Sequence, residues 1–335
     1  MSYLLLSFIA FWSMVPMLDL VKTPYELAEL NVPSHFPKVP FPSDNELTEA
    51  RWKLGKKLFF DPILSRDSSI SCGSCHLPDY AFSDTLSFSL GVEKRKGVRN
   101  APSLSNIAYH PYFNRDGGTP TLEMQLLVPI QEHLEFDFNI VDIADRMLRD
   151  SAYHQMSADA YNRIPDPYVI SRAIATFERT LISSTSKYDR VMQEQEEFSE
   201  KEKKGFELFM GDRANCSSCH SGFNFTNYSF ENNGLQLQYA DSGRMRVTKE
   251  ESDRAKFKVP SLRNIALTGP YMHDGSIESL KEVVEHYSLG VKPNIALSPQ
   301  VRNIQLSEEE KEYLIAFLNT LSDFNFIENQ IYKSE

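Results

Sequence analysis

All four cysteines of this 335-residue chain lie in two Cys-x-x-Cys-His pentads, at 72–76 and 216–220. This pentad attaches c-type haem: the two thiols add to the haem vinyl groups, and the following histidine binds the iron. A redox dithiol needs no histidine after its cysteines, and a zinc site built from the four cysteines would need neither histidine. The sequence therefore predicts two covalent haem c groups. Their attachment residues are Cys72, Cys75, His76, Cys216, Cys219 and His220.

The chain repeats itself around the pentads. Gly-x-x-Leu-Phe precedes each one, at 55–59 and 205–209, and Pro-Ser-Leu-x-Asn-Ile-Ala follows each, at 102–108 and 260–266. Pro-Tyr and then Asp-Gly come next in both halves. Self-similarity of this kind indicates a duplicated structural unit. We therefore expect a mostly α fold with two cytochrome c-like domains, each carrying one covalent c-type haem.

Helical periodicity and capping signals support the mostly α prediction, and strand signals are few. Ser199 with Glu202 and Ser307 with Glu310 read as capping boxes. Helices are predicted over 140–152, from Asp166-Pro167 to Ile182, from Ser199 through the second Gly-x-x-Leu-Phe, from a Ser276 cap through Tyr287, and from Ser307 to Leu321.

The N-terminus is typical of an exported protein. Residues 3–18 carry no charge, which fits a signal-peptide core better than a spanning helix of about 20 apolar residues. No Lys or Arg precedes this core and no clear cleavage site follows it, so cleavage and retention as a membrane anchor both stay open. Covalent haem attachment occurs outside the cytoplasmic membrane, which agrees with a periplasmic location. Residues 33–42 are proline-rich and are expected to be extended.

These features divide the chain into three parts. Residues 1–44 form the signal or anchor-like segment and the proline-rich lead-in, 45–190 the first haem domain and 191–335 the second. The formal net charge of -11 argues against a nucleic-acid partner, which requires a basic surface. An acidic surface favours solubility and could steer a basic redox partner.

The repeat predicts that the two haems differ. Aligning Asp116 with Asp274 places Pro129 opposite Tyr287. A phenol can bind iron as a sixth ligand and proline cannot, so the first haem is expected to be open and the second closed. The rival ligands for the second haem are Met272, His273 and His286, and those that could close the first are His110, His133 and His154.

Several motifs together resemble the bacterial di-haem cytochrome c peroxidase family, and more closely its MauG-like branch. They are Leu-Phe-Phe-Asp-Pro-x-Leu-Ser at 58–65, Arg99-Asn100, Thr-Gly-Pro-Tyr-Met-His-Asp-Gly at 268–275 and His286-Tyr287. The resemblance runs from about residue 41 to 321. It implies that His76 binds the peroxidatic haem and His220 the electron-transfer haem, with Tyr287, seventeen residues beyond Pro270, as the sixth ligand of the latter.

The resemblance also implies the residues of two further sites. Gln125 and Glu135 match the distal pocket, where a glutamate can move a proton between the two oxygens of a peroxide. Asn100, Thr268 and Pro270 match the positions that hold a Ca²⁺ ion between the haems through oxygen ligands. Relatives are often homodimers.

Two positions depart from the family. Val92 stands where many members have a histidine that blocks the peroxidatic haem, so we expect a haem that is always open. Arg115 stands where members tend to have a tryptophan between the haems, and the two tryptophans of the chain are Trp12 and Trp52. Electrons would then tunnel directly or use a tyrosine, with Tyr109 and Tyr112 as candidates.

Three functions follow from these expectations. The first is a cytochrome c peroxidase that reduces H2O2 with electrons from a small cytochrome c or cupredoxin. The second is a MauG-like enzyme that oxidises an amino-acid side chain of a partner protein, which Tyr287 favours. The third is a non-enzymatic di-haem electron carrier, which would require a sixth ligand at the first haem.

Overall fold

The computed structural model describes residues 32–34 and 36–334, and the expected signal or anchor core lies outside them. This part of the chain is mostly helical and has one short antiparallel strand pair, β1 (Phe230–Glu231) with β2 (Phe257–Lys258). Among the same residues, no helix has the length and apolar composition that a membrane crossing requires. The α-helices are α1 (Glu49–Phe60), α2 (Leu122–Gln125), α3 (Leu127–Gln131), α4 (Ile140–Leu148), α5 (Ser151–Tyr161), α6 (Pro167–Arg179), α7 (Lys187–Met192), α8 (Glu200–Met210), α9 (Met245–Thr248), α10 (Leu280–Glu285), α11 (Glu308–Asn319) and α12 (Phe324–Glu328).

Each half contains one close crossing of two long helices. α1 crosses α6 at Gly55, where an added Cβ would lie 1.9 Å from the backbone oxygen of Ala173. α8 crosses α11 at Gly205, where an added Cβ would lie 1.9 Å from the backbone oxygen of Tyr313. Only a hydrogen fits between the two backbones. The repeated Gly-x-x-Leu-Phe segment is therefore a packing signature of the duplicated unit.

The predicted capping residues begin three of the long helices. Ser199 and Glu202 form a capping box at α8, and Ser307 and Glu310 form another at α11. The side chain of Asp166 caps α6, with a proline in the first turn. Each cap satisfies backbone N–H groups that the first helical turn leaves free. These predictions are confirmed.

The helix predicted over 140–152 is wrong in its extent. α4 ends at Leu148, and α5 starts anew behind Asp150, whose carboxylate accepts a hydrogen bond from the backbone N–H of Ala152. The hydrogen bond from the Asp150 side chain to the backbone competes here with continuation of the helix, so the helix is interrupted although the apolar periodicity predicts that it continues.

The start of the helix that leads to Tyr287 was also predicted wrongly. Ser279, and not Ser276, is the N-cap, and α10 begins at Leu280. The matching helix of the first half, α2, begins at Leu122 behind its own cap, Thr121, so both helices begin six residues after the aligned Asp116 and Asp274.

Two hydrophobic cores accompany the two pentads. The first is built on α1 and α6 and contains Phe82, and the second is built on α8 and α11 and contains Phe225. The C-terminal segment returns to the first core through Phe326 and Tyr332, and the Tyr332 hydroxyl donates a hydrogen bond of 2.7 Å to the Thr180 carbonyl. The boundary near residue 190 stays a prediction, but the last residues of the chain pack with the first half.

Candidate functional site

The first pentad forms a tight turn that presents its histidine. Residues 72–74 are a 3-10 turn, and the His76 backbone N–H donates to the Cys72 carbonyl at 2.9 Å. The His76 ring bonds through Nδ1 to the Phe82 carbonyl at 2.9 Å, which leaves Nε2 for a metal. Burial lowers the pKa of His76 and so favours the neutral imidazole that binds iron.

The second pentad repeats this geometry. The His220 backbone N–H donates to the Cys216 carbonyl at 2.9 Å, and the His220 Nδ1 lies 3.1 Å from the Phe225 carbonyl oxygen. None of the four cysteines forms a disulfide, and burial raises the pKa of Cys216 to about 12. Cysteines outside disulfides beside an oriented, neutral imidazole fit the covalent attachment of haem c at both pentads.

A cavity of about 360 Å³ lies at the first pentad. Its walls are mainly apolar, as a haem site requires. The residues predicted for attachment and for the distal pocket meet in it, although they come from two separate stretches of the chain, 72–76 and 125–135. They are Cys72, Cys75, His76, Gln125, Pro129 and Glu135.

Glu135 has an unusual environment for a carboxyl group. It lies in the loop between α3 and α4, where burial, and then the nearby Glu132, raise its pKa to about 7. A group with this pKa is part protonated and part ionised at neutral pH, so it can both accept and donate a proton. This is the property that the predicted acid–base role requires.

The segment that contains Val92 supports the Glu135 loop. Val92 is fully buried, and its backbone N–H donates to the Glu135 carbonyl at 2.9 Å. A Cβ on Gly91 would lie 2.1 Å from the backbone oxygen of Leu134, so the two segments touch backbone to backbone.

Four charged side chains fasten the same two segments from outside. Arg66 and Arg95 each pair with both Glu93 and Asp137, at 2.5 to 2.9 Å. Three of these pairs join residues that are 27 to 71 positions apart, and Arg95 and Glu93 meet within one loop. The sequence alone therefore shows none of the pairs.

The three histidines considered as ligands that could close the first haem differ in their surroundings. His133 is exposed and contacts Asp137, and His154 is exposed on α5. His110 lines the same cavity as Pro129, its Nδ1 lies 3.1 Å from the Lys258 Nζ, and its Nε2 is buried without a hydrogen-bond partner. Of the three, His110 therefore stays the rival ligand at the first haem.

Tyr287 lies at the second pentad, in a π-helical turn, His286–Gly290, that follows α10. Burial raises its pKa to about 12, while the Asn233 side chain hydrogen-bonds to the phenol, and the thiols of Cys216 and Cys219 are close enough to act on it electrostatically. Single π turns inside helices are frequent at functional sites. Neither the π turn nor Asn233 was predicted, and the sequence carries no clear signal for them.

The rival ligands of the second haem are engaged elsewhere. The Met272 sulfur accepts a hydrogen bond from the Asn233 amide at 3.2 Å, and the His286 Nε2 lies 3.0 Å from the Asn233 carbonyl oxygen. His273 stacks on Phe257 with ring centroids 4.1 Å apart.

Glu178 is a cavity residue that sequence reasoning missed. It lies on α6, is 6% exposed and lines the cavity of the first pentad, and its charge acts on the nearby Cys72. Burial raises the pKa of Glu178 to about 8, and no hydrogen bond to its carboxyl group opposes this within the described residues. Extending the repeat would have found it, because Phe-Glu-Arg-Thr-Leu at 177–181 aligns with Phe-Leu-Asn-Thr-Leu at 317–321.

Both tyrosines considered for electron transfer contact the second half of the chain. Tyr112 stacks on Phe230, with ring centroids 5.1 Å apart, and Tyr109 meets Phe223 edge to face at 4.9 Å. Trp52 lies in the first core instead, where its indole N–H donates to the Thr180 hydroxyl at 2.9 Å.

The residues expected to bind Ca²⁺ are near one another but do not fit the ion. Asn100, Thr268 and Pro270 line the same cavity. However, the Asn100 side-chain oxygen accepts a hydrogen bond of 2.7 Å from the Arg115 guanidinium. A guanidinium on the oxygen that should bind a cation opposes Ca²⁺ binding by charge repulsion.

Comparisons with known proteins agree with this fold. A family model for di-haem cytochrome c peroxidase matches residues 49–197. The chain is 36% identical over 289 residues to the methylamine utilization protein MauG of Methylophilus methylotrophus, across 84% of this chain and 85% of the relative. It is 34% identical over 280 residues to the cytochrome c551 peroxidase of Nitrosomonas europaea, across 81% and 79% of the two chains.

The fold is also similar to a solved structure. The crystal structure of a MauG-like protein associated with microbial copper homeostasis matches with a TM-score of 0.86 at 31% identity, across 91% of this chain and 98% of that one. Together with the two relatives, this match shows that the chain belongs to the di-haem cytochrome c peroxidase family.

Proposed function

We propose that the protein is a periplasmic peroxidase that reduces H2O2 to two waters with two protons and two electrons from a small cytochrome c or cupredoxin. The observation that carries this proposal is the inequality of the two pentads. The cavity at His76 contains Pro129, Gln125 and Glu135, whereas a phenol, Tyr287, lies at the second pentad. An open first site and a closed second site divide the work into peroxide chemistry and electron delivery.

Haem c at the first pentad supplies an iron that binds peroxide and transfers electrons. Glu135 accepts a proton from one oxygen of H2O2 and donates it to the other, which then leaves as water. Its pKa of about 7 allows both steps at neutral pH. The Val92 N–H and the packing of Gly91 hold the Glu135 backbone in place, and Gln125 offers an amide to orient the peroxide.

The second pentad would receive electrons from the donor protein. His220 and Tyr287 would hold the iron of its haem, and the π turn contains the partly buried Tyr287 at the second pentad. Contacts such as Tyr112 on Phe230 connect the halves through stacked aromatic rings without a tryptophan.

The ferric EPR spectrum of the protein loaded with both haems tests the inequality. One high-spin and one low-spin signal are expected, and two low-spin signals would contradict the open site and favour an electron carrier. Steady-state consumption of H2O2 with a reduced cytochrome c or cupredoxin then tests the activity directly.

Oxidation of a partner protein is the second candidate. Two observations favour it: a tyrosine at the second pentad, and similarity to MauG and to a MauG-like structure. If the high-spin signal is present but reduced donor proteins give no steady-state turnover with H2O2, this candidate replaces the first.

A further inference from the structure

Arg115 stands where family members tend to have a tryptophan. The contacts of Asn100 indicate that this arginine has a role of its own. Asn100 is 4% exposed, and its backbone N–H donates to the His273 carbonyl at 2.9 Å. Its side-chain amide N–H donates to the Leu86 carbonyl at 3.2 Å. Asn100 therefore uses its two donors to bind the Leu86 segment of the first half and the 268–275 loop of the second half.

Both oxygens of Asn100 accept hydrogen bonds from a single guanidinium. Arg115 Nε donates to the Asn100 carbonyl at 2.9 Å, and Arg115 Nη2 donates to the Asn100 side-chain oxygen at 2.7 Å. This two-pronged contact uses the planar fork that distinguishes arginine from lysine. Burial, with the nearby Arg99, lowers the pKa of Arg115 to about 10, so the group is a cation at neutral pH.

Two carboxylates near this fork are already paired with other arginines. Asp116 pairs with Arg99 at 2.8 Å and with Arg246 at 2.7 Å, and Asp241 pairs with Arg99 at 2.7 Å. A third, Asp274, acts electrostatically on Arg115 and accepts hydrogen bonds from the Gln236 amide at 3.0 Å and the Ser276 backbone N–H at 3.1 Å. Across the part of the chain that the structure describes, no group of three or more His, Cys, Asp or Glu side chains offers a cation site. A divalent ion at Asn100 would thus meet a fixed positive charge on the oxygen that should bind it.

Arg115 also supplies the mechanical link that an ion between two loops would provide. Its own carbonyl accepts a hydrogen bond of 2.7 Å from the backbone N–H of Lys258, in β2. The side chain holds Asn100, and Asn100 holds the 268–275 loop. One residue therefore connects three segments that surround the cavity.

We propose that the Arg115 guanidinium permanently replaces the Ca²⁺ ion at the Asn100, Thr268 and Pro270 site, so that the protein needs no calcium. The proposal holds for either candidate function, because it concerns a contact between the halves and not the substrate.

Calcium content and binding test the proposal on the protein with both haems attached. After purification in Ca²⁺-containing buffer and dialysis, elemental analysis of the wild type should find no stoichiometric calcium, and EGTA should leave the ferric EPR spectrum unchanged. About one Ca²⁺ per chain, or a change of spin state on EGTA treatment, would overturn it. These wild-type measurements decide the matter without any variant.

Three variants sharpen the result. Arg115→Gln frees the Asn100 oxygen and removes the charge, so calorimetric titration with Ca²⁺ should show at least tenfold tighter binding than the wild type. Arg246→Gln removes an equal charge from the same network without freeing Asn100, and Arg115→Lys keeps the charge, so neither should bind Ca²⁺. Failure of folded Arg115→Gln to bind, or equal binding by Arg246→Gln, would contradict the replacement.

Discussion

The two halves end their crossing helices with similar residues, and they differ at two positions, of which one is buried in both halves. Phe177 and Phe317 are both fully buried, and one residue later Glu178 in the first half corresponds to Leu318 in the second, at 6% and 8% exposure. Burying a carboxyl group without a hydrogen bond costs free energy, whereas burying leucine stabilises. The phenylalanine that packs one helix on the other is thus alike in both halves, whereas the next position carries a carboxyl group only in the half where it faces the first cavity.

The same contrast appears around the predicted haem ligands. The first cavity contains Gln125 and Glu135 beside Pro129, while Tyr287 is held by Asn233 at the second pentad. In the proposed function, the duplicated scaffold provides two attachment sites, and these few side chains would suit one site to proton transfer and the other to electron storage.

The largest expected effect comes from removing the proton-transfer group, Glu135. Glu135→Gln should lower the kcat of H2O2 reduction by about 100-fold or more, because the amide cannot carry a proton between the peroxide oxygens. Steady-state assays with a reduced donor protein measure it. Glu46→Gln, an exposed carboxyl group outside the cavity, is the control and should change kcat only a few-fold; equal losses in both variants would refute the assignment.

The EPR spectrum tests the role assigned to Tyr287 at the second pentad. Tyr287→Phe should abolish the wild-type low-spin EPR signal, because phenylalanine offers no ligand atom, while the high-spin signal stays as it is. A change confined to the high-spin signal would mean that the roles of the two pentads are reversed. Met272→Leu provides the control and should leave both signals in place.

Stability should respond equally in the two halves where their packing is the same. Gly55→Ala and Gly205→Ala should each lower the free energy of unfolding by about 1–3 kcal/mol, since the added methyl group meets a backbone oxygen. Thermal or urea unfolding measures this. Gly97→Ala has no contact closer than 3.6 Å and serves as the control, with an expected change within about 0.5 kcal/mol. A loss in only one half would show that the crossings are not equivalent.

The smallest expected effect on stability is at Glu178, where α6 differs from α11. Glu178→Leu should raise the free energy of unfolding by about 1 kcal/mol, because it removes a buried carboxyl group that lacks a hydrogen bond. The folded-state pKa of Glu178, about 8, lies above the usual value of 4.5, so the native state binds more protons between these values and loses stability as pH rises through them. The gain from leucine should therefore be larger at pH 8.5 than at pH 5, and a destabilised leucine variant would indicate a structural role.

Local patterns predicted much of the fold. The capping boxes at Ser199 and Ser307 act through residues close in sequence. The glycines at 55 and 205 are marked by the repeat itself. Where a competing cap arose at Asp150 or Ser279, periodicity alone misplaced the helix ends. The reason is that one side-chain hydrogen bond to the backbone is enough to move a helix start.

By itself, the sequence predicted two haem attachment sites in duplicated helical units, and it predicted that Pro129 and Tyr287 make them unequal. These conclusions follow from covalent chemistry and from short-range patterns that a linear chain displays. Only the tertiary structure decided that Glu178 shares the first cavity, that Asn233 holds Tyr287, and that Arg115 occupies both oxygens of Asn100. Burial and the contacts of a guanidinium depend on segments far apart in the chain, so they exist only once those segments pack together.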